Sequence, residues 1–236
     1  DGAVGSVRDY YREVSYGRMT IRSTVSPWVR LPNDEAYYGG DGATKDTNVV
    51  QMVTDAIAAA AAAGFDFAQG DSDADGWVDC LTIIHSGHGQ ETDGIATSIW
   101  SKKGSLSAVV TNGAKMYSYH TEPALRGTTT NAAIIRIGTI CHEMGHSFGL
   151  PDLYDYSDAT HGLGDWCLMA GGSWNGSSGN SPSHFSAWCK CFLGFAWPEP
   201  APAPTGWSLA RVEDHRVVRL LRDGTTSNEY FLVENR

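Results

Sequence analysis

The chain lacks a long hydrophobic run. Its nearest candidate, Ala56–Ala63, is short and rich in alanine, whereas a membrane-spanning helix needs about 18 or more consecutive apolar residues. The sequence therefore predicts no membrane span. A hydrophobic content of 42% and a charged content of 19% are ordinary for a globular protein, and 236 residues are enough to bury a core.

Basic residues are also scarce. The chain has 17 Lys and Arg against 27 Asp and Glu, which gives a formal net charge of −10. Because a protein that binds a phosphate backbone needs a basic patch, this balance argues against nucleic acid as a partner.

Cysteines are too few to define a disulfide framework. The five are Cys80, Cys141, Cys167, Cys189 and Cys191. One or two bridges would suit an oxidising compartment, and their connectivity stays open. Cys189 and Cys191 lie two apart on a predicted helix, so their side chains diverge and a bond between them is disfavoured. Cys141 precedes a histidine but turns about 100° away from it on a helix, so we interpret it as a packed apolar residue.

The residues that carry chemistry run from His142 to Asp152, with the sequence HEMGHSFGLPD. On a helix, His142 and His146 lie one above the other and can direct two imidazoles at one ion. Glu143 stands beside that ion and can take a proton from water. Gly149 permits a sharp turn that brings Asp152 back as a third ligand. Three protein ligands leave one position of a tetrahedral Zn²⁺ open, which is typical of catalytic sites.

The third ligand distinguishes this motif from a chance pair of histidines. H-E-x-x-H alone can occur on a solvated helix, but the glycine and the aspartate follow at the spacing of a known class of zinc hydrolase. The commonest pattern of that class has histidine where this chain has Asp152. Aspartate is an acceptable zinc ligand, although its negative charge should make the metal a weaker Lewis acid.

Further segments accompany this motif along nearly the whole chain. They are Val7–Gly17, Asp71–Asp79 (DSDADGWVD) with Cys80–Gly87, Ile99–Ser101, His142–Asp155 (HEMGHSFGLPDLYD), Cys167–Trp174 and Phe231–Arg236. In this order they resemble the immune inhibitor A family of secreted metallopeptidases, which belong to the metzincins. The resemblance implies an α+β, metzincin-like zinc peptidase domain with a mixed sheet, an active-site helix and a Met-turn. In that turn Met169 would pack beneath the zinc ligands without binding the metal.

The resemblance also implies a secreted endopeptidase that acts on proteins or peptides, with a pro-segment upstream in its precursor. We predict a catalytic domain over residues 1–197, followed over residues 198–236 by a Pro-rich connector and the beginning of a β-rich C-terminal region. Many metzincins have tyrosine two residues after the Met-turn methionine, where this chain has Gly171. The oxyanion-stabilising residue is therefore not identified. The alternative is a non-catalytic binding or adhesion module with the same fold, which would be expected to have lost Glu143 or a ligand.

Hydrophobic periodicity and helix-capping residues predict the main elements. The predicted helices are Lys45–Ala63, Thr130–Phe148 and Ser183–Phe195, and the predicted strands are Asp79–Ser86 and Lys115–Thr121. We interpret Lys115–Thr121 as an edge strand that holds extended substrate. Substrate contacts would then come from Tyr117 and Tyr119, and from Gly171 and Trp174 in a pocket for a large apolar side chain on the leaving side.

Two further groups of polar residues are candidate metal sites. Asp71, Asp73, Asp75 and Asp79 follow the order of a calcium loop, although a strand follows in place of the helix of an EF-hand. The alternative is a solvated acidic turn. A second group, His85, His88 and Glu91, lacks a spacing that directs all three at one ion, so a local hydrogen-bonding role is favoured.

Overall fold

We describe the chain from a computed structural model that covers residues 5–40, 46–157, 159–201, 208–209, 211, 215–221 and 229–235. Its helices are α1 (Val7–Val14), α2 (Glu35–Gly39), α3 (Val49–Ala62), α4 (Gln90–Asp93), α5 (Ile137–Ser147), α6 (Asn175–Ser178) and α7 (Ala187–Phe192). Its strands are β1 (Thr82–His88), β2 (Lys102–Thr111), β3 (Ala114–Arg126), β4 (Ala133–Ile134), β5 (Pro198–Pro200), β6 (Val217–Leu221) and β7 (Tyr230–Val233). The fold is α+β and divides into two compact units, the sheet unit (Ser23–Gly149) and the terminal unit (Asp1–Arg22 with Leu150–Arg236).

The sheet unit is built around β3. β1 pairs with it in parallel on one side, and β2 pairs antiparallel on the other. The short β4 pairs with the end of β3. α3 packs on this mixed sheet, and the buried side chains between them form the core of the unit. They include Val49, Met52, Val53, Ile57, Leu106, Met116 and Tyr119.

The prediction that Lys115–Thr121 forms an edge strand is wrong. These residues lie in β3, which has β2 on one side, while on the other side Lys115 bridges to Trp77 and His120 and Thr121 pair with β1. The stretch is therefore not a free edge of the sheet.

The sequence does not predict β2, because its first half, KKGSLS, lacks the apolar run of a buried strand. Its best signal is the Asn112–Gly113 pair that follows. Both residues have positive φ (49° and 84°), as the type I′ turn of a two-residue hairpin requires.

The two predicted helices of the sheet unit exist with later starts. α3 begins at Val49 after Asn48, while Lys45 lies outside the described residues. α5 begins at Ile137, seven residues later than the predicted Thr130. Residues 133 and 134 instead pair with β3 as β4, so backbone pairing with an existing strand outweighs the helical periodicity of this stretch.

The terminal unit contains α1, α6, α7 and a second sheet, in which β6 lies between β5 and β7. α7 is shorter than the predicted Ser183–Phe195, because Ser186 caps its first turn by accepting from the N–H of Cys189 at 3.3 Å. The predicted Pro-rich connector begins as β5, paired with β6, and residues 202–204 lie outside the described part. The domain boundary at residue 197 stays a prediction, since the terminal unit includes residues on both sides of it.

Candidate metal centre

Two histidines on α5 form the first part of a candidate metal centre. His142 is buried and His146 is half-buried, and they lie one helical turn apart. Their ring centroids are 4.8 Å apart and the rings are perpendicular. The helix presents both imidazoles on one face because side chains at positions i and i+4 are neighbours.

Asp152 follows in the same continuous stretch of chain. α5 ends at Ser147, and Gly149 adopts a φ of 90° while its N–H donates to the carbonyl of His146 at 3.0 Å. A left-handed glycine lets the chain turn without the steric penalty of a Cβ. Ligand atoms of His142, His146 and Asp152 all lie within 4.8 Å of one another. The structure therefore brings together the three predicted zinc ligands.

Glu143 lies next to His142 and is buried, with 7% of its surface exposed. Burial raises the pKa of its carboxyl group to about 7; His142 and His146 oppose this shift and Glu122 adds to it. A carboxyl group that titrates near neutral pH can accept a proton and return it under the same conditions. Its environment therefore suits a general base.

A buried ion pair lies on β3, the strand against which α5 packs. His120 Nδ1 is 2.6 Å from Glu122 Oε1, and its Nε2 is 2.8 Å from the hydroxyl of Thr82. Burial lowers the pKa of His120, but the charge of Glu122 and hydrogen bonding with Cys80 and Glu122 together outweigh burial and raise it to about 10. Burial likewise raises the pKa of Glu122, against the effect of His120. We therefore expect the two side chains to form an imidazolium–carboxylate pair.

Truncating Glu122 to alanine is expected to destabilise the fold by about 3–5 kcal/mol, because the imidazolium of His120 would stay buried without its partner. Guanidinium unfolding of the zinc-loaded protein measures the loss. Glu199→Ala is the matched control, since Glu199 pairs with Arg216 at 3.0 Å in an exposed position. That variant should lose less than about 1 kcal/mol.

The pH dependence of the same unfolding experiment separates this pair from ordinary packing. The folded pKa of His120, about 10, lies above its unfolded value of about 6.5. Its contribution to stability is therefore complete below about pH 6.5 and is lost as the pH rises through about 10. The parent should lose more stability over this range than His120→Asn. Parallel curves of stability against pH for the parent and His120→Asn would contradict the ion pair. Equal losses of stability in Glu122→Ala and Glu199→Ala would also contradict it.

The predicted calcium loop brings three of its four carboxylates together. Ligand atoms of Asp71, Asp73 and Asp75 all lie within 4.8 Å of one another. Asp71 also accepts from the N–H of Asp75 at 3.1 Å, as a tight acidic turn would. Asp79 is outside this group, and its carboxylate accepts from the N–H of Ser72 at 3.1 Å. Calcium binding stays a prediction.

Two residues of the second group of polar residues, His85 and Glu91, have partners outside the group. His85 Nδ1 lies 3.5 Å from Glu35 Oε1, and Glu91 accepts from the N–H of Ser101 at 3.2 Å. Within the described ranges, His85, His88 and Glu91 do not form a three-ligand group. The hydrogen-bonding role that the sequence favours for these three residues stays a prediction.

The predicted substrate contacts have different environments. Tyr119 is 3% exposed and belongs to the core of the sheet unit, so its prediction as a substrate contact is wrong. Tyr117 is 59% exposed. Tyr117 therefore stays a predicted substrate contact.

The predicted residues of the terminal unit lie in one segment. Met169 is fully buried, as expected of a packing methionine. Gly171 begins a 3₁₀ turn that ends at Trp174, whose side chain is 42% exposed. Gly171 and Trp174 thus stay predicted substrate contacts.

The motif does not identify two tyrosines that lie beside Asp152 in the structure. The hydroxyl of Tyr156 donates a hydrogen bond to Asp152 Oδ2, and the rings of Tyr154 and Tyr156 are 5.0 Å apart. Burial and the nearby Asp152 carboxylate raise the pKa of Tyr154. The only signal in the sequence is their position two and four residues after the aspartate. In the structure they help to orient it.

The sequence from residue 1 to 197 matches the family described as immune inhibitor A peptidase M6, catalytic domain. The chain belongs to this family. It is 33% identical over 222 residues to immune inhibitor A of Bacillus thuringiensis subsp. alesti, an alignment that covers 82% of this chain and 32% of that protein. It is 31% identical over 214 residues to pre-pro-metalloprotease PrtV of Vibrio cholerae serotype O1 (strain M66-2), an alignment that covers 80% of this chain and 23% of that protein.

The match confirms the family that the sequence predicts, and it includes α5 and Asp152. The candidate metal centre therefore lies in the region that corresponds to the family's catalytic domain. The chain spans about a third of the length of the Bacillus relative and about a quarter of the Vibrio relative. No helix in the described part of the chain is long and apolar enough to cross a membrane.

Proposed function

We propose that the chain is a zinc-dependent endopeptidase that hydrolyses peptide bonds in proteins. The observation that carries this proposal is the group formed by His142, His146 and Asp152, next to the buried carboxyl of Glu143. The family's description as a peptidase supports it, as does the name metalloprotease of the Vibrio relative.

The proposal extends to the setting of the enzyme. The protein would be secreted and made with an upstream pro-segment, for which the word pre-pro in the name of the Vibrio relative is the support. Met169 would belong to a Met-turn of the metzincin type, and its complete burial is compatible with that packing role.

The donor set fits zinc. Two imidazoles and one carboxylate are the kinds of ligand that catalytic zinc sites use. Cys141, the thiol adjacent to His142, is a poor competitor because burial raises its pKa and disfavours the thiolate that zinc requires. A zinc ion held by these residues would polarise the scissile carbonyl and lower the pKa of a water molecule.

Glu143 would carry the proton transfers. As a carboxylate it accepts a proton from the attacking water, and as a carboxylic acid it returns a proton to the departing amine. A pKa of about 7 makes both forms available near neutral pH, and a cation bound beside it would lower that value. Tyr156 would steady Asp152 through its hydrogen bond to Oδ2.

Casein hydrolysis by the purified chain tests the proposed function. Activity should disappear when 1,10-phenanthroline removes zinc and should return when about one equivalent of zinc per chain is restored. If zinc binds at that ratio without any hydrolysis, even after removal of a pro-segment, the protein would instead be a non-catalytic binding module.

The segment Gly171–Trp174 would form one wall of the substrate site. The half-exposed indole of Trp174 offers an apolar surface, so we expect a preference for large apolar side chains on the leaving side of the cut bond. Cleavage-site profiling with a peptide library measures this preference, and Trp174→Ala should weaken it. A dominant requirement for a charged residue at that position would contradict the assignment.

Calcium would bind at Asp71, Asp73 and Asp75, whose clustered carboxylate oxygens are ligands that Ca²⁺ prefers. Calcium would stabilise the fold without taking part in the chemistry. With zinc kept saturating, calcium should raise the thermal midpoint by roughly 5–10 °C. Asp73→Ala with Asp75→Ala should remove the rise. No effect of calcium on the parent protein would make the loop a solvated turn.

A further inference from the structure

Two buried thiols converge in the terminal unit. Cys167 and Cys189 each have 0% of their surface exposed. Both contact Ser186: its N–H donates to the sulfur of Cys167 at 3.3 Å, and its hydroxyl donates to the sulfur of Cys189 at 3.3 Å. The two thiols also hydrogen bond to each other. Two sulfurs from distant parts of the sequence therefore meet beside the first turn of α7.

The geometry points to Cys167 and Cys189 as a disulfide-forming pair that closes when the chain folds in an oxidising compartment. The oxidant would be a small disulfide such as oxidised glutathione. The thiolate of Cys167 attacks the S–S bond of oxidised glutathione, forms a mixed disulfide and releases one glutathione thiolate. The thiolate of Cys189 then attacks the sulfur of Cys167 in the mixed disulfide and releases the second glutathione thiolate. The two cysteines lose two protons and two electrons, and one molecule of oxidised glutathione is reduced to two molecules of glutathione. Because both sulfurs are buried in the folded chain, this exchange belongs to folding.

The other cysteines lack this arrangement. Cys191 lies two residues beyond Cys189 on α7 and is half-buried, so its side chain takes a different direction. Cys80 and Cys141 belong to the sheet unit.

The bond would brace a segment built of short turns. Cys167 opens the stretch that ends at Trp174, in which the N–H of Leu168 donates to the carbonyl of His184 at 3.2 Å. The carbonyl of Met169 accepts from the N–H of Leu153 at 2.7 Å. A covalent link to α7 would thus restrain the loop next to Asp152. Its benefit to zinc binding rests on the proposed function, whereas the bond itself does not.

Alkylation and mass spectrometry of the whole chain test the pair. The protein is refolded with reduced and oxidised glutathione, denatured without reductant and treated with N-ethylmaleimide. A digest should contain a cross-linked peptide pair with Cys167 and Cys189, while the other three of the five cysteines carry the label. Labelled Cys167 and Cys189, or a cross-link of either to another cysteine, would overturn the inference.

Thermal unfolding gives a second readout. Reductant should lower the midpoint of the parent by roughly 5–15 °C, since a disulfide restricts the unfolded chain. The Cys167→Ala, Cys189→Ala double variant should be insensitive to reductant, and Cys191→Ala, the matched control on the same helix, should respond like the parent. A parent that does not respond would contradict a bracing disulfide. The cross-link and the response to reductant do not depend on zinc or on proteolysis, so they test the disulfide separately from the proposed function.

Discussion

Replacing Glu143 with alanine is expected to abolish peptide hydrolysis while zinc stays bound. The variant keeps both imidazoles and the Asp152 carboxylate but loses the group proposed to move the proton. General acid–base catalysis contributes about 10²–10⁴-fold, so kcat/KM should fall by at least that factor. The fold should persist, because the substitution removes a buried carboxyl group whose desolvation is unfavourable. Turnover of a fluorogenic peptide is measured together with zinc content.

Glu143→Gln is the matched control for shape. Glutamine has the same size but cannot accept a proton, so it should be as inactive as alanine at full zinc occupancy. Near-normal turnover in either zinc-replete variant would remove Glu143 from the mechanism.

Replacing Asp152 with alanine is expected to weaken zinc binding by more than about 100-fold, because two imidazoles alone leave the ion under-coordinated. Competition with a chelator measures the affinity. Asp155→Ala is the matched control: Asp155 is a carboxylate three residues further along that accepts from Ser157 and Thr160. Its loss disturbs the same loop without removing a ligand, and zinc affinity should change only a few-fold.

The replacement at position 152 distinguishes a ligand from a structural carboxylate. Asp152→His should restore zinc binding better than Asp152→Asn, because an imidazole nitrogen is a stronger zinc ligand than a neutral amide oxygen. If zinc content and activity were unchanged in Asp152→Ala, the third ligand would lie elsewhere. His161 would then be the first residue to replace.

The candidate metal centre could be predicted because its residues are close in sequence. The helical spacing of His142 and His146 and the turn at Gly149 are local properties, and they determine where the imidazoles lie whatever surrounds the helix. The start of α5 could not be predicted in the same way. Residues 133 and 134 join β3 through pairing that depends on a strand elsewhere in the chain.

Features that depend on how the strands pair and pack could not be predicted from the sequence. Tyr117 and Tyr119 lie two apart on one strand, which predicts the same face for both, yet Tyr117 is exposed and Tyr119 lies in the core. His120 and Glu122 lie two apart in sequence, which places them on one face of a strand. The contact of Thr82 with His120 depends on the pairing of β1 with β3, which the sequence does not show.

The zinc-edge X-ray absorption spectrum of the zinc-loaded protein tests the central claim most directly. Ligation by His142, His146 and Asp152 predicts two imidazole nitrogens and oxygen neighbours at about 2.0–2.2 Å, with no sulfur. Asp152→His should change the fit to three imidazoles. A sulfur neighbour at about 2.3 Å, or three imidazoles already in the parent protein, would contradict the proposed ligand set.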